Sequence, residues 1–166
     1  MNRISVLTIA TALLLFFGAG LTMAQQAGTK DQIVGVWTLI SEEGKNPDGS
    51  KMLPFGPNPN GIVIFEPNGH YALQIIRSGL PKFASNNRTQ GTPDENKAVV
   101  QGLLSHFGTY SVSDGNVVFH IESSSYPNWS GTESKRPFTM AGDELKWKTT
   151  PASGGGVAEL VWKRAK

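Results

Sequence analysis

The chain of 166 residues contains no cysteine. Disulfides therefore contribute nothing to its stability, and thiol catalysis and thiolate metal sites are excluded. Histidine is almost as scarce, with only His70, His106 and His120. No two of them stand at i, i+2 or i, i+4, so a zinc site is not expected and no metal is assigned. No serine sits in a nucleophile-elbow pattern. The glycine run Gly154-Gly155-Gly156 precedes a strand, not a helix, so it reads as a flexible turn and not a phosphate cradle. Strong charge of one sign is also lacking, with 15 basic against 13 acidic residues. That balance argues against a nucleic-acid partner. No cofactor is implied.

The one long apolar run lies at the N-terminus. Arg3 supplies a positive charge, Ile4 to Leu21 is almost wholly apolar, and Thr22-Met23-Ala24 offers small residues where a signal peptidase reads. Residues 1–24 are expected to be a cleaved signal peptide, placing the mature protein in the periplasm or outside the cell, with no membrane attachment after cleavage. Residues 25–32 read as a flexible polar lead-in, and residues 33–166 as one domain large enough to bury its own core.

Within that domain the dominant period is two. Ile33 to Ser41 reads as a strand with Trp37, Leu39 and Ser41 on one face. Residues 42–60 form a turn-rich loop ordered by Pro57 and Pro59. Ile62 to Phe65 and Tyr71 to Arg77 flank Pro67-Asn68-Gly69, a hairpin signal. Thr109 to Ser113 with Asn116 to Glu122, and Glu133 to Met140 with Glu144 to Thr149, make two more hairpins, and Val157 to Arg164 is a last strand. One segment changes period. Thr92, Pro93 and Glu95 form a capping box with proline at the first helical position, and Val99, Val100, Leu103, Leu104 and Phe107 recur at helical spacing up to Gly108. The expectation is an all-β fold, a single antiparallel barrel of about eight strands with one inserted helix at about 93–107.

Closing a barrel brings its first and last strands together. Gly35 and Trp37 begin the first and Arg164 ends the last, so a guanidinium can stack on an indole and cap one end of the core. With these residues stand the run Pro54 to Gly61, the Pro67-Asn68-Gly69 turn, Phe107-Gly108-Thr109-Tyr110, His120-x-Glu122, Pro127 to Thr132, Arg136, and the terminal Leu160-Val161-Trp162-Lys163-Arg164. In that order they resemble the bacterial lipocalin-like domain family over roughly residues 33 to 164. The resemblance implies a calycin-like β-barrel and says little of activity. Family members often carry paired histidines where this chain has Phe119-His120, which bears on any mechanism needing both.

The residues alone leave His120 open. Its strand alternates Val117, Phe119 and Ile121 against His120 and Glu122, so the simplest reading faces His120 to solvent. The resemblance places His120, Trp129 and Arg136 together at the barrel mouth as the polar end of a ligand site. Phe65, Tyr71, Leu73, Ile75, Tyr110, Phe138 and Trp147 supply apolar surface, either as ligand contacts or as ordinary core. His70 reads as exposed after the Asn-Gly turn, and His106 as structural at a helix C-terminus. The leading expectation is an exported protein that binds a small, largely apolar ligand in the barrel. The alternatives are an isomerase or cyclase using His120 as acid or base with Glu122 orienting it, and a ligandless interaction module. N-terminal sequencing of the exported protein should begin at or near Gln25. Recovery of an intact Met1 on the mature protein would overturn the export reading.

Overall fold

The computed structural model describes residues 29–166, so the expected signal peptide and its cleavage site lie outside the described residues. A helical turn, α1 (Lys30–Ile33), replaces the end of the expected flexible lead-in, and its Ile33 is buried. Nine strands follow in one antiparallel sheet: β1 (Gly35–Lys45), β2 (Lys51–Met52), β3 (Asn60–Phe65), β4 (His70–Ile76), β5 (Leu103–Ser113), β6 (Asn116–Ser124), β7 (Thr132–Ala141), β8 (Glu144–Thr149) and β9 (Val157–Arg164). A helix, α2 (Pro93–Gly102), lies between β4 and β5, and a short 3-10 turn at Pro127–Trp129 lies between β6 and β7. Every sequential neighbour from β3 to β9 pairs, β1 pairs with β3, and β1 pairs with β9 along most of its length, from Trp37↔Arg164 to Lys45↔Val157. Eight strands thus close into a barrel, with β2 a short appendage on β1. Among the described residues no helix is long and apolar enough to cross a membrane.

Antiparallel order puts the two kinds of connection at opposite ends. The turns after β3, β5 and β7 are tight, and Gly69 at φ 93° takes the left-handed position of the first. The connections after β1, β4, β6 and β8 are longer and meet at the other end. The tight-turn end is sealed. Arg164 stacks on the buried Trp37 indole, with its guanidinium carbon 4.1 Å from the ring centroid. Its two terminal nitrogens donate to the carbonyls of Val34 and Gln32 at 2.8 and 2.6 Å, and Trp37 Nε1 donates to Ile33 at 2.8 Å. A Cβ at residue 35 would stand 2.9 Å from Arg164 Nη1, so Gly35 makes room for the guanidinium. The Gly35, Trp37 and Arg164 signature is therefore one packed unit.

Two sequence expectations are corrected. The helix ends at Gly102 instead of 107, and Leu103, Leu104, His106 and Phe107 belong to β5, paired with β4 from Leu103↔Ile76 to Thr109↔His70. Its start stands as read: the Thr92 N–H donates to Glu95 Oε2 at 2.7 Å and the Glu95 N–H donates to Thr92 Oγ1 at 3.3 Å. The C-terminal error has a physical cause. Leu104, His106 and Tyr110 alternate inward, while Phe107 points out and Gly108 lies mid-strand, and a histidine on the inner face disguises the strand period. In β1 the strand runs on to Lys45, and a bulge between Leu39 and Ser41 shifts its alternation. Trp37 and Leu39 face inward as expected, but the next buried side chain is Glu42 and not Ser41.

The sealed half of the barrel is filled with rings. Phe65 touches Tyr110 at 4.8 Å, Tyr71 touches Phe119 at 4.7 Å and Trp147 touches Trp162 at 4.9 Å, all between centroids. Burying such side chains contributes most of the favourable free energy of folding. Replacing Trp37 by Ala removes a fully buried indole and the platform for Arg164. It should cost about 3–5 kcal/mol, read as a lowered urea midpoint with unchanged slope. An unchanged midpoint would show that the seal does not carry the closure.

Candidate functional site

Above the aromatic half lies a cavity of about 220 Å³ that opens among the long connections. Its apolar wall is Leu73 and Ile75 from β4, Leu104 from β5 and Leu160 from β9, with Trp129 and Ala152 from the connections. Two charged residues enter this wall. Arg136 comes from β7 and is 2% exposed, and Glu42 comes from β1 and is 7% exposed. Each is there for a local reason. Arg136 lies on the same face as buried Phe138, in step with the strand period. Glu42 is turned inward by the β1 bulge.

Arg136 sits where the cavity meets the packed rings. Its guanidinium carbon is 4.6 Å from the Phe119 centroid, 5.8 Å from Trp129 and 5.9 Å from Trp147, so three ring faces share its charge. Its hydrogen bonds are long: Nε donates to Ser134 Oγ at 3.4 Å, and Nη2 lies 3.5 Å from His106 Nε2. His106 is 1% exposed, and its Nδ1 lies 2.8 Å from the Tyr71 hydroxyl. A guanidinium only donates, so the tautomer that serves both contacts accepts at Nε2 and donates from Nδ1 to the Tyr71 oxygen. Burial draws the Arg136 guanidinium down to about 10, which leaves it charged at neutral pH. Burial also raises the Tyr71 hydroxyl, which stays protonated.

Glu42 faces the same cavity without closing an ion pair to Arg136. Its Oε2 has no hydrogen-bond partner among the described residues, and the buried indole nitrogens of Trp147 and Trp162 share that condition. Burial pushes the Glu42 carboxyl up to about 7, with the Arg136 charge opposing in part. A buried cation and a half-neutral acid thus look into one small apolar space. Such groups are costly unless something pairs with them.

The structure separates the trio expected at the mouth. Trp129 and Arg136 line the cavity. His120 is exposed, and its Nδ1 lies 3.2 Å from Glu133 Oε2 on the neighbouring strand. Glu122 is exposed as well, so the pair considered for acid–base chemistry does not converge on the cavity. Phe65, Tyr71, Tyr110, Phe138 and Trp147 are all buried in the core and lie outside the cavity lining. The histidine beside Arg136 is His106. Sequence reasoning missed it together with Glu42, Leu104 and Leu160. The alternation Leu104, His106, Tyr110 carried the signal for the histidine, whereas nothing in Ser41-Glu42-Glu43 announces a bulge.

Comparison with known proteins agrees with this fold. Residues 34–165 match the lipocalin-like domain family, and the chain belongs to it. A curated relative, the 4'-hydroxy-3'-methoxypropiophenone carrier protein ppsC of Aspergillus oryzae, is 29% identical over 105 residues, covering 56% of this chain and 95% of the relative. Among solved structures, the wild-type fluorescent protein UnaG aligns over 81% of this chain and 98% of its own, at 12% identity and a TM-score of 0.38.

The two buried titrating groups tilt stability in opposite directions with pH. Burial, then the Arg136 charge, hold His106 down at about 3 against 6.5 when free. Its contribution is complete above pH 6.5 and is lost as pH falls toward 3. Glu42 is raised from 4.5 to about 7. Its contribution is complete below pH 4.5 and is lost as pH rises to 7. In Glu42→Gln the Glu42 slope is removed and the others remain. The stability of that variant relative to the parent should therefore grow from pH 4.5 to 7, by at most about 1.4 kcal/mol per pH unit. Urea unfolding at the two ends checks this, and an equal difference at both would show that Glu42 titrates as a free carboxyl.

Proposed function

We propose that this lipocalin-like protein is an exported carrier that binds a small, largely apolar molecule of single-ring size in the open half of its barrel. The observation that carries this reading is the cavity itself, about 220 Å³ with leucine and isoleucine walls and a buried polar end. An apolar protein cavity of roughly 150 Å³ admits benzene, so this one suits one substituted ring or a short chain. A few convergent polar groups in an apolar pocket are the general pattern of a small-molecule site. The named cargo of the Aspergillus relative, a propiophenone, is of the same size class. Export rests on Arg3, the apolar run Ile4 to Leu21 and the small residues before Gln25.

Histidine-based acid–base turnover finds no support in the polar set. His106 is buried beside the cavity-lining Arg136, and it is held neutral between Tyr71 and that guanidinium. A base held down at about 3 is a poor proton acceptor at neutral pH.

The test titrates the purified protein with 4'-hydroxy-3'-methoxypropiophenone, hydrocinnamyl alcohol and hydrocinnamate, read by calorimetry and tryptophan fluorescence. At least one should bind with one-to-one stoichiometry. Leu104→Trp and Ala152→Trp place an indole in the lining from a strand and from a loop. Each should weaken binding tenfold or more while circular dichroism stays that of the parent. Absence of binding by all three probes, or binding unaffected in both folded variants, would overturn the carrier reading.

A further inference from the structure

We infer that the ligand is a small monocarboxylic acid, its carboxylate seated between the guanidinium of Arg136 and the carboxyl of Glu42, its ring or chain directed along Leu73, Ile75, Leu104 and Leu160. This rests on the carrier reading and adds the chemistry of the cargo.

The polar end of the cavity has a positive charge that no carboxylate contacts directly: Glu42 acts on Arg136 across the cavity without forming an ion pair. Arg136 is almost fully buried, and its side-chain hydrogen bonds among the described residues, to Ser134 and His106, are long. A guanidinium presents a planar fork of donors that matches a carboxylate in geometry and charge. Its neighbours on the protein side are neutral: the Tyr71 hydroxyl keeps its proton, and His106 is uncharged above about pH 3. Among the described residues, Arg136 and Glu42 are the ionisable groups in the cavity lining.

Glu42 fits the same occupant. Its Oε2 is buried and unpartnered. With its carboxyl pushed up to about 7 by burial, Glu42 is largely protonated in mildly acid solution and can donate a hydrogen bond to a bound carboxylate. Arg136 from β7 is the charged group acting on it. The other walls around the acid, Met52 on β2, Thr149 on β8 and Leu160 on β9, bring no charge. A neutral ketone or alcohol would leave the Arg136 charge unmatched, whereas a carboxylate neutralises it and satisfies Glu42 at once. Binding is then linked to a proton held on Glu42. As pH rises through 7 the free protein loses that proton, and the acid meets a second negative charge.

The experiment compares hydrocinnamate with its neutral isostere hydrocinnamamide by calorimetry from pH 6 to 9. At pH 6 the acid should bind at least tenfold tighter than the amide. Above pH 7 its affinity should fall by up to about tenfold per unit, while that of the amide stays level. Glu42→Gln keeps a donor but cannot titrate, so the acid's affinity should become flat across this range. Arg136→Met should abolish the preference for acid over amide and leave amide binding in place, with its melting curve measured alongside. Equal affinity for acid and amide, or an unchanged pH profile in Glu42→Gln, would overturn the inference. Tight binding of the amide or of hydrocinnamyl alcohol without the acid would overturn it too, while leaving the carrier reading standing. No binding by any probe would remove both.

Discussion

The pairing of the first strand with the last is the constraint on which the rest of this molecule depends. An open sheet of this length would expose two hydrogen-bonding edges and leave its inner face half covered. Here β1 meets β9 from Trp37↔Arg164 to Lys45↔Val157, and the seal is made by an indole, a guanidinium and the space left by a missing side chain at Gly35. Once the ends are joined, every inward residue of eight strands shares one interior. Trp162 and Trp147 meet on neighbouring strands, and Trp37 from the first strand lies fully buried in the same core.

That interior is divided. Near the tight turns it is filled by rings. Near the long connections it is left partly empty, and there the chain spends stability on groups that a core does not need. Arg136 and Glu42 would be better replaced by apolar residues if packing were the sole purpose, because burying an ionisable group costs several kcal/mol unless its partners are in place. Local sequence rules fail at functional places more often than elsewhere. Two charged residues buried around a small apolar space are such a failure, and they distinguish this half of the barrel from the ring-packed half.

Much of the fold was legible. The hairpin turns and the capping box at Thr92 and Glu95 depend on local chemistry that neighbouring residues spell out, and the pairing of Trp37 with Arg164 follows from joining the first strand to the last. The helix end was not legible. Leu103, Leu104 and Phe107 satisfy a helical period by coincidence, and only pairing with β4 decides that they are strand. The site was half legible. Trp129 and Arg136 stand out by residue type, and both line the cavity. His120 was favoured over His106 because it lies on a recognised motif, yet alternation with Val117, Phe119 and Ile121 puts it on the surface. Glu42 was hidden because strand parity cannot be carried across an unseen bulge.

The bulge in β1 also bears on how such barrels are compared. The extra residue at Ile40 shifts the frame of the strand by one, so that even-numbered positions face inward beyond it and odd-numbered positions before it. A related barrel with a regular first strand carries its corresponding inward residue one place earlier. Aligning the two without a gap matches Glu42 to a solvent-facing side chain, and the acid then looks like an unremarkable variable surface position. A single gap placed opposite Ile40 restores the correspondence. For this strand, a one-residue difference in length says more about the interior than any substitution within it.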